Sequence, residues 1–154
     1  GEVSVQNSAS VTHDIEALLH SQSLGVLATH DQGQPCTHLM AFAAVPGLKR
    51  IILATNRGTR KYANICADPR VSILVDNREK AQLDLHQAAT VSASGRAAES
   101  SPEEKEDQLR IYLGKHPHLE SFVLAPTSAL LSVTVLKYDL VRRFQNVHEL
   151  WMQP

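Results

Sequence analysis

The segment Thr55-Asn56-Arg57-Gly58-Thr59-Arg60-Lys61 holds the densest chemistry in this chain of 154 residues. It follows an apolar run and precedes a change of hydrophobic period. Thr59 is placed to cap a helix whose start exposes unpaired N–H groups and a partial positive charge. Arg60 and Lys61 add cations to the first turn, where cations are unfavourable unless an anion sits among them. Two hydroxyls, free amides, a guanidinium and an ammonium make a phosphate cradle. The same residues also suit a solvated basic helix start, and spacing alone leaves both readings open.

Other reactive types are dispersed. Eight histidines invite a metal or haem reading. His116 and His118 straddle Pro117, a poor arrangement for two ligands of one ion, and His86 and His148 have no near partner in sequence. No metal site is assigned. His38 falls on a strand and faces either a ligand or solvent. Cys36 and Cys66 lack CxxC spacing and read as small apolar core side chains in a reducing, cytoplasmic setting. No Gly-x-Ser-x-Gly nucleophile signature occurs. The run Glu103–Asp107 reads as a solvated helix face, and Arg142-Arg143 as facing a cofactor, a substrate or water, with water the default. No side chain stands out as a catalytic acid or base.

The elements that would position the segment form a meander. Residues 1–10 read as a frayed tail, and a single domain spans 11–154. Thr12 could cap a helix with Ile15, Leu18 and Leu19 on one face. Leu24–His30, Pro35–Val45 and Arg50–Asn56 read as strands, split by the turns Asp31–Gln34 and Pro46-Gly47. Residues 59–67 turn helical, with Tyr62, Ile65 and Cys66 on one face, and Asp68-Pro69 stops them. Val71–Asp76 is a strand, Asn77–Gln87 a polar loop, and Thr90 starts a strand running toward Glu99. Ser101-Pro102-Glu103-Glu104 reads as a capping box, and Gly114 as the residue just past that helix. A short helical piece runs from His116 to Val123. Ala129–Tyr138 is the last clear strand. Residues 139–152 fit either a helix or a strand. About six consecutive strands with short helices predict a mostly antiparallel sheet, closed or nearly closed into a barrel.

Composition narrows the function classes. Fifteen Lys+Arg against 16 Asp+Glu leave a net charge of −1, so nothing draws this chain in bulk to nucleic acid or anionic membrane. Aromatic residues are only 5%, too few for base-stacking platforms. No apolar run approaches membrane-spanning length, and GEVSVQNSAS has no apolar signal core.

The ordered motifs resemble a known family. Thr55-Asn56-x-x-Thr59-Arg60-Lys61 is similar to the T-N-x-x-[ST]-R-K segment of the pyridoxamine 5′-phosphate oxidase-like FMN-binding split barrels. Ala28-Thr29 with Gly33-Gln34-Pro35 resembles their opening hairpin. Asp68-Pro69-Arg70-Val71-Ser72-Ile73-Leu74 resembles N-P-x-V-x-L, and Val91 to Ala97 resembles V-x-x-x-G-x-A. The resemblance covers roughly residues 11–138.

It implies a mainly β fold, a six-stranded antiparallel split barrel with short helices. It also implies a homodimer with FMN between subunits, working with a small-molecule substrate or electron donor. Thr59, Arg60 and Lys61 would hold the FMN phosphate, with Thr55 and Asn56 close by. Thr37, His38, Leu39 and Met40 would lie along the isoalloxazine. Ala54 would pack near the ring or ribityl chain. Thr90 stands where the oxidases carry a flavin-contacting glutamine, with Gln87 nearby. The oxidases also place an arginine early in the second strand and a lysine at its end, where this chain has Thr37 and the apolar Ala41–Ala44. Their basic tail is replaced by FQNVHELWMQP. These departures point away from pyridoxamine phosphate as substrate. The resulting expectation is an FMN-dependent oxidoreductase; the alternative is a non-catalytic flavin or haem carrier or sensor. Phe144 or Trp151 would stack near the flavin or pack between subunits.

Overall fold

The structure, a computed structural model, describes residues 8–81, 85–143 and 146–154. Helix α1 spans Ser8–Ser21 and begins before the Thr12 cap expected from sequence, so residues 8–10 are helical. Its buried side carries the expected Ile15, Leu18 and Leu19, together with Val11. Strands β1 (Leu24–Asp31) and β2 (Gln34–Ala41) form the first hairpin. The expected strand 35–45 is broken at Phe42, and its remainder is β3 (Ala43–Ala44). Then come β4 (Arg50–Asn56), α2 (Arg60–Ala67) and β5 (Arg70–Asp76). The expected loop 77–87 contains a short α3 (Arg78–Ala81) and a 3-10 turn at Leu85–Gln87. Strand β6 (Ala89–Glu99), helices α4 (Pro102–Lys115) and α5 (Glu120–Leu124), and strands β7 (Ser128–Arg142) and β8 (Asn146–Trp151) complete the chain. The ambiguous tail is therefore strand in its described part; Phe144 lies outside the described residues.

All pairings are antiparallel, in the order β2-β1-β5-β6-β7-β4-β3, with β8 on β7. The two ends of that order, β2 and β3, are one stretch of chain joined through Phe42. The sheet thus closes on itself as a six-stranded split barrel. Below Phe42 the seam opens: β3 pairs with β4 at Ala43 and Ala44, whereas β2 pairs only with β1. A gap is left between β2 and the far end of β4.

The core explains the run RIILAT. Ile51 and Leu53 fill the barrel with Leu27, Phe42, Leu131 and Val133. Ile52 and Ala54 face outward but lie under α4 and α5 with Tyr112, Val123 and Leu130. A strand covered on both faces has no polar alternation. Cys66 is exposed and Cys36 half-buried, which corrects their reading as core side chains. On α2 the buried side chains are Asn64 and Ile65.

Helix α4 departs from its expected caps. Ser101 occupies the cap position, but its hydroxyl makes no cap bond. Glu104 instead accepts from Gln108, which also receives the Ser100 hydroxyl and donates to Ser132. The helix runs through Gly114 to Lys115, because His116 is fixed beyond it, its ring donating to the Phe42 carbonyl at 2.7 Å. Lys115 reaches α1, donating to Leu19 O at 2.9 Å with its ammonium 4.0 Å from the Phe42 ring centroid. Arg142 pairs with Asp14 rather than facing water.

Burial pushes the Lys115 ammonium down to about 8. Its folded-state value lies below the unfolded one, so the unfolded chain holds the extra proton between the two. Stability therefore gains from Lys115 as pH rises from about 8 toward the ordinary lysine range. Chemical denaturation at pH 8 and pH 10 should show that gain, and Lys115→Met should remove it. A wild-type minus variant difference that is flat across that interval would contradict it.

Candidate functional site

The gap beneath the barrel seam is a cavity of about 330 Å³. One wall is β2, through Leu39, Met40 and Ala41; the other is the end of β4, through Ala54, Thr55 and Asn56. Thr59 and Lys61 stand at the start of α2, and Tyr112, Leu119 and Phe122 close the third side. Seven of the residues expected from sequence thus meet in one place: Leu39, Met40, Ala54, Thr55, Asn56, Thr59 and Lys61.

Local chemistry builds the α2 end as expected. Thr59 is the N-cap, with extended backbone, and its Oγ1 accepts from Tyr62 N at 3.4 Å. The same hydroxyl donates to Asn56 O at 2.9 Å and lies 3.0 Å from Thr55 Oγ1. Asn56 Oδ1 accepts from Gly58 N at 2.7 Å, which fixes the turn. Arg60 is exposed and Lys61 half-buried. Neither makes an ion pair with a described residue. Two uncommitted cations at an ordered helix start have the electrostatics of an anion site.

The remaining expected residues lie elsewhere. Arg60 sits beside the cavity without lining it. Thr37 points out of the barrel from β2. His38 points inward, its Nε2 3.1 Å from Thr29 Oγ1, and that oxygen accepts from buried Asn64 of α2 at 3.0 Å. Desolvation, with the nearby Lys61 charge, holds the His38 ring below the ordinary histidine value. His38 therefore ties β2 to α2 as a neutral ring. Thr90 pairs with Asp76 and Val141 at the opposite end of β6 from Glu99. At about 3.3 Å per strand residue it is about 30 Å from the α2 start along the strand. Within one chain it does not join the cavity.

Tyr112, Leu119 and Phe122 were missed from sequence. They lie roughly fifty to sixty residues beyond the cradle, and only the packing of α4, α5 and the turn between them on β4 brings them in. Tyr112 is 1% exposed, and among the described residues its hydroxyl has no hydrogen-bond partner. Burial raises that phenol to about 12, so it is a neutral donor at the cavity wall. Phe122 is 42% exposed and Leu39 68%, an apolar rim around the opening. Among the described residues, no three His, Cys, Asp or Glu side chains converge as a metal centre would need. No helix of the described residues is long and apolar enough to cross a membrane.

Comparisons with known proteins agree with this fold. The family model described as pyridoxamine 5′-phosphate oxidase matches residues 11–142. No curated protein sequence matches. Among solved structures, a heme binding protein from Mycobacterium smegmatis is similar at a TM-score of 0.81 and 18% identity. The match covers 97% of this chain and 60% of that one. A Clostridium acetobutylicum protein related to general stress protein 26, of the pyridoxinephosphate oxidase family, is similar at 0.72 and 16% identity, covering 96% and 97%. A FAD-binding protein from Mesorhizobium loti is similar at 0.66 and 19% identity, covering 84% and 90%. At these identities the likeness shows the fold.

Proposed function

Since this chain belongs to the pyridoxamine 5′-phosphate oxidase family, we propose that it is an FMN-binding flavoprotein acting as an oxidoreductase on a small molecule. The observation that carries this reading is the α2 start. Thr55 and Thr59 hydroxyls, free helix amides and the uncommitted Lys61 stand at the mouth of a largely apolar cavity, with the uncommitted Arg60 beside it. A flavin mononucleotide matches that division, with its phosphate at the cradle and its ring between β2 and Ala54. The unpaired edge of β2 offers peptide groups to the polar edge of the ring. Tyr112 offers a neutral hydroxyl. When bound, the flavin supplies two-electron redox chemistry; the chain's residues bind and orient it.

The reading includes a homodimer. The cavity is open on one side, and Leu39, Val26 and Leu74 lie side by side across β2, β1 and β5. Leu39 and Leu74 are exposed apolar side chains on the outward sheet face. An exposed apolar row bordering an unfinished cavity suits a second copy of the chain, closing both. Trp151, 64% exposed on β8, fits the same role.

The second reading is a carrier of flavin or haem; for haem it draws on the similar fold of the Mycobacterium smegmatis heme binding protein. Against haem, no histidine among the described residues lines the cavity. Titration separates the readings. Purified protein is expected to take up FMN and turn yellow, and its bound flavin to be reduced by a nicotinamide donor. A Soret band on adding haem, with no flavin uptake, would overturn the FMN reading. Bound flavin that no donor reduces would leave the carrier.

A further inference from the structure

Arg57 stands inside the basic segment yet turns away from the cavity. Its Nε and Nη2 donate to the two Glu99 carboxylate oxygens at 3.2 and 3.1 Å. Its Nη1 donates to Pro126 O at 3.0 Å and Ser128 O at 2.8 Å. Most of the guanidinium's five N–H donors are thus engaged within the protein. Tyr62, in the first turn of α2, donates its hydroxyl to the same Glu99 carboxylate at 2.5 Å. Both ends of the turn between β4 and α2 are therefore tied to the last residue of β6 and the start of β7. The backbone repeats this link, with Arg57 N donating to Thr127 O at 2.9 Å.

We propose that Arg57, held by Glu99, is the positioning residue of the anion cradle. It staples the Asn56–Arg60 turn so that the cradle's amides and hydroxyls keep one orientation in the free chain. The consequence for cofactor affinity rests on the FMN reading above; the rigidity does not.

Geometry carries the assignment. Arg57 and Glu99 side chains are 40% and 42% exposed, and an exposed ion pair contributes little to global stability. A planar fork that also binds two carbonyls is a poor solution for stability alone but a good one for fixing direction. Arg57, with Tyr62, also holds the Glu99 carboxyl below its usual range, keeping the acceptor charged. Preorganisation of this kind lowers the ordering cost when a ligand arrives. It also divides the cations of the segment by role: Arg57 shapes the turn, and Arg60 and Lys61 remain for the anion.

The test uses the full chain and the variants Arg57→Met, Arg57→Lys and Glu99→Gln. In ligand-free protein, hydrogen exchange is followed at Gly58 and Thr59, whose amides are bonded to Asn56. Arg57→Met is expected to speed exchange there by about tenfold or more while β4 amides stay unchanged. FMN affinity should fall by about tenfold, with riboflavin held within about twofold. Glu99→Gln should act in the same direction. Arg57→Lys, which keeps the charge but loses the fork, should not restore slow exchange. Unchanged exchange at Gly58 and Thr59 in both Arg57→Met and Glu99→Gln would overturn the proposal, as would equal losses of FMN and riboflavin. If the parent chain binds no FMN, the flavin reading fails and the exchange result alone decides the staple.

Discussion

Replacing Arg60 and Lys61 together by alanine is expected to weaken FMN by about 10²- to 10⁴-fold while leaving riboflavin nearly unchanged. Charge-assisted hydrogen bonds contribute about 1.5–3 kcal/mol each, and 1.4 kcal/mol is a factor of ten. Riboflavin lacks the phosphate, so it reports on the ring and ribityl contacts alone. Both side chains are uncommitted in the structure, so their removal strands no protein partner. Fluorescence titration of the two flavins against parent and double variant measures the ratio directly. Parallel losses of both flavins would move the phosphate away from the α2 start, and with it the proposed orientation of the ring.

The second large effect lies in the barrel wall. Gly95→Ala should lower stability by about 3 kcal/mol and the melting temperature by roughly 6–12 °C. The register of β6 and β7 slips at this point. Ser94 pairs with Lys137, Gly95 with Val135, and Leu136 is left over as the bulge residue. The β7 backbone is thereby brought onto Gly95, where a methyl group would stand 2.2 Å from Thr134 O. That oxygen belongs to a paired backbone and cannot swing aside. Gly114 is the control. Nothing lies within 4 Å of its would-be methyl group, so Gly114→Ala in α4 should be neutral or stabilising by about 0.5–1 kcal/mol. Thermal melts that shift equally for both variants would show that the close approach is not what requires glycine at Gly95.

Local signals were the legible ones. Thr59 caps α2 as read, because an N-cap is satisfied within three residues and depends on nothing distant. β4 and β1 were visible as apolar runs, and the antiparallel order followed from the turns between them. The family motifs carried the split-barrel fold and most of the cavity. Features decided by distant partners were not legible. The Ser101 capping box dissolves because Gln108 reaches Glu104, Ser100 and Ser132 at once. The break at Phe42 arises because the chain leaves β1 and joins β4, a change of neighbour that no periodicity records. Residues 146–151 become a strand because the second half of β7 offers them an edge. Tyr112 and Phe122 reach the cavity through helices whose apolar side chains read in sequence as ordinary packing faces, with nothing to say that β4 and the cavity lie beneath them. Arg57 fills an unassigned position of the motif, and only the distant Glu99 shows what its side chain does.

The long strand β7 has a consequence for the order of folding. Its first half pairs with β4, its second half with β8, and nearly all of it with β6. During synthesis, β1, β2, β5 and β6 can pair once residue 99 has emerged, but the barrel cannot close. Until β7 follows, β6 presents a long bare edge, and β4 has only the two residues of β3 beside it. The nascent chain therefore passes through an open-edged sheet, the kind of species that pairs with other chains. Closure waits for contacts between residues far apart in sequence, which makes for slow folding. Truncation within β7 should trap that open sheet rather than trim a finished barrel.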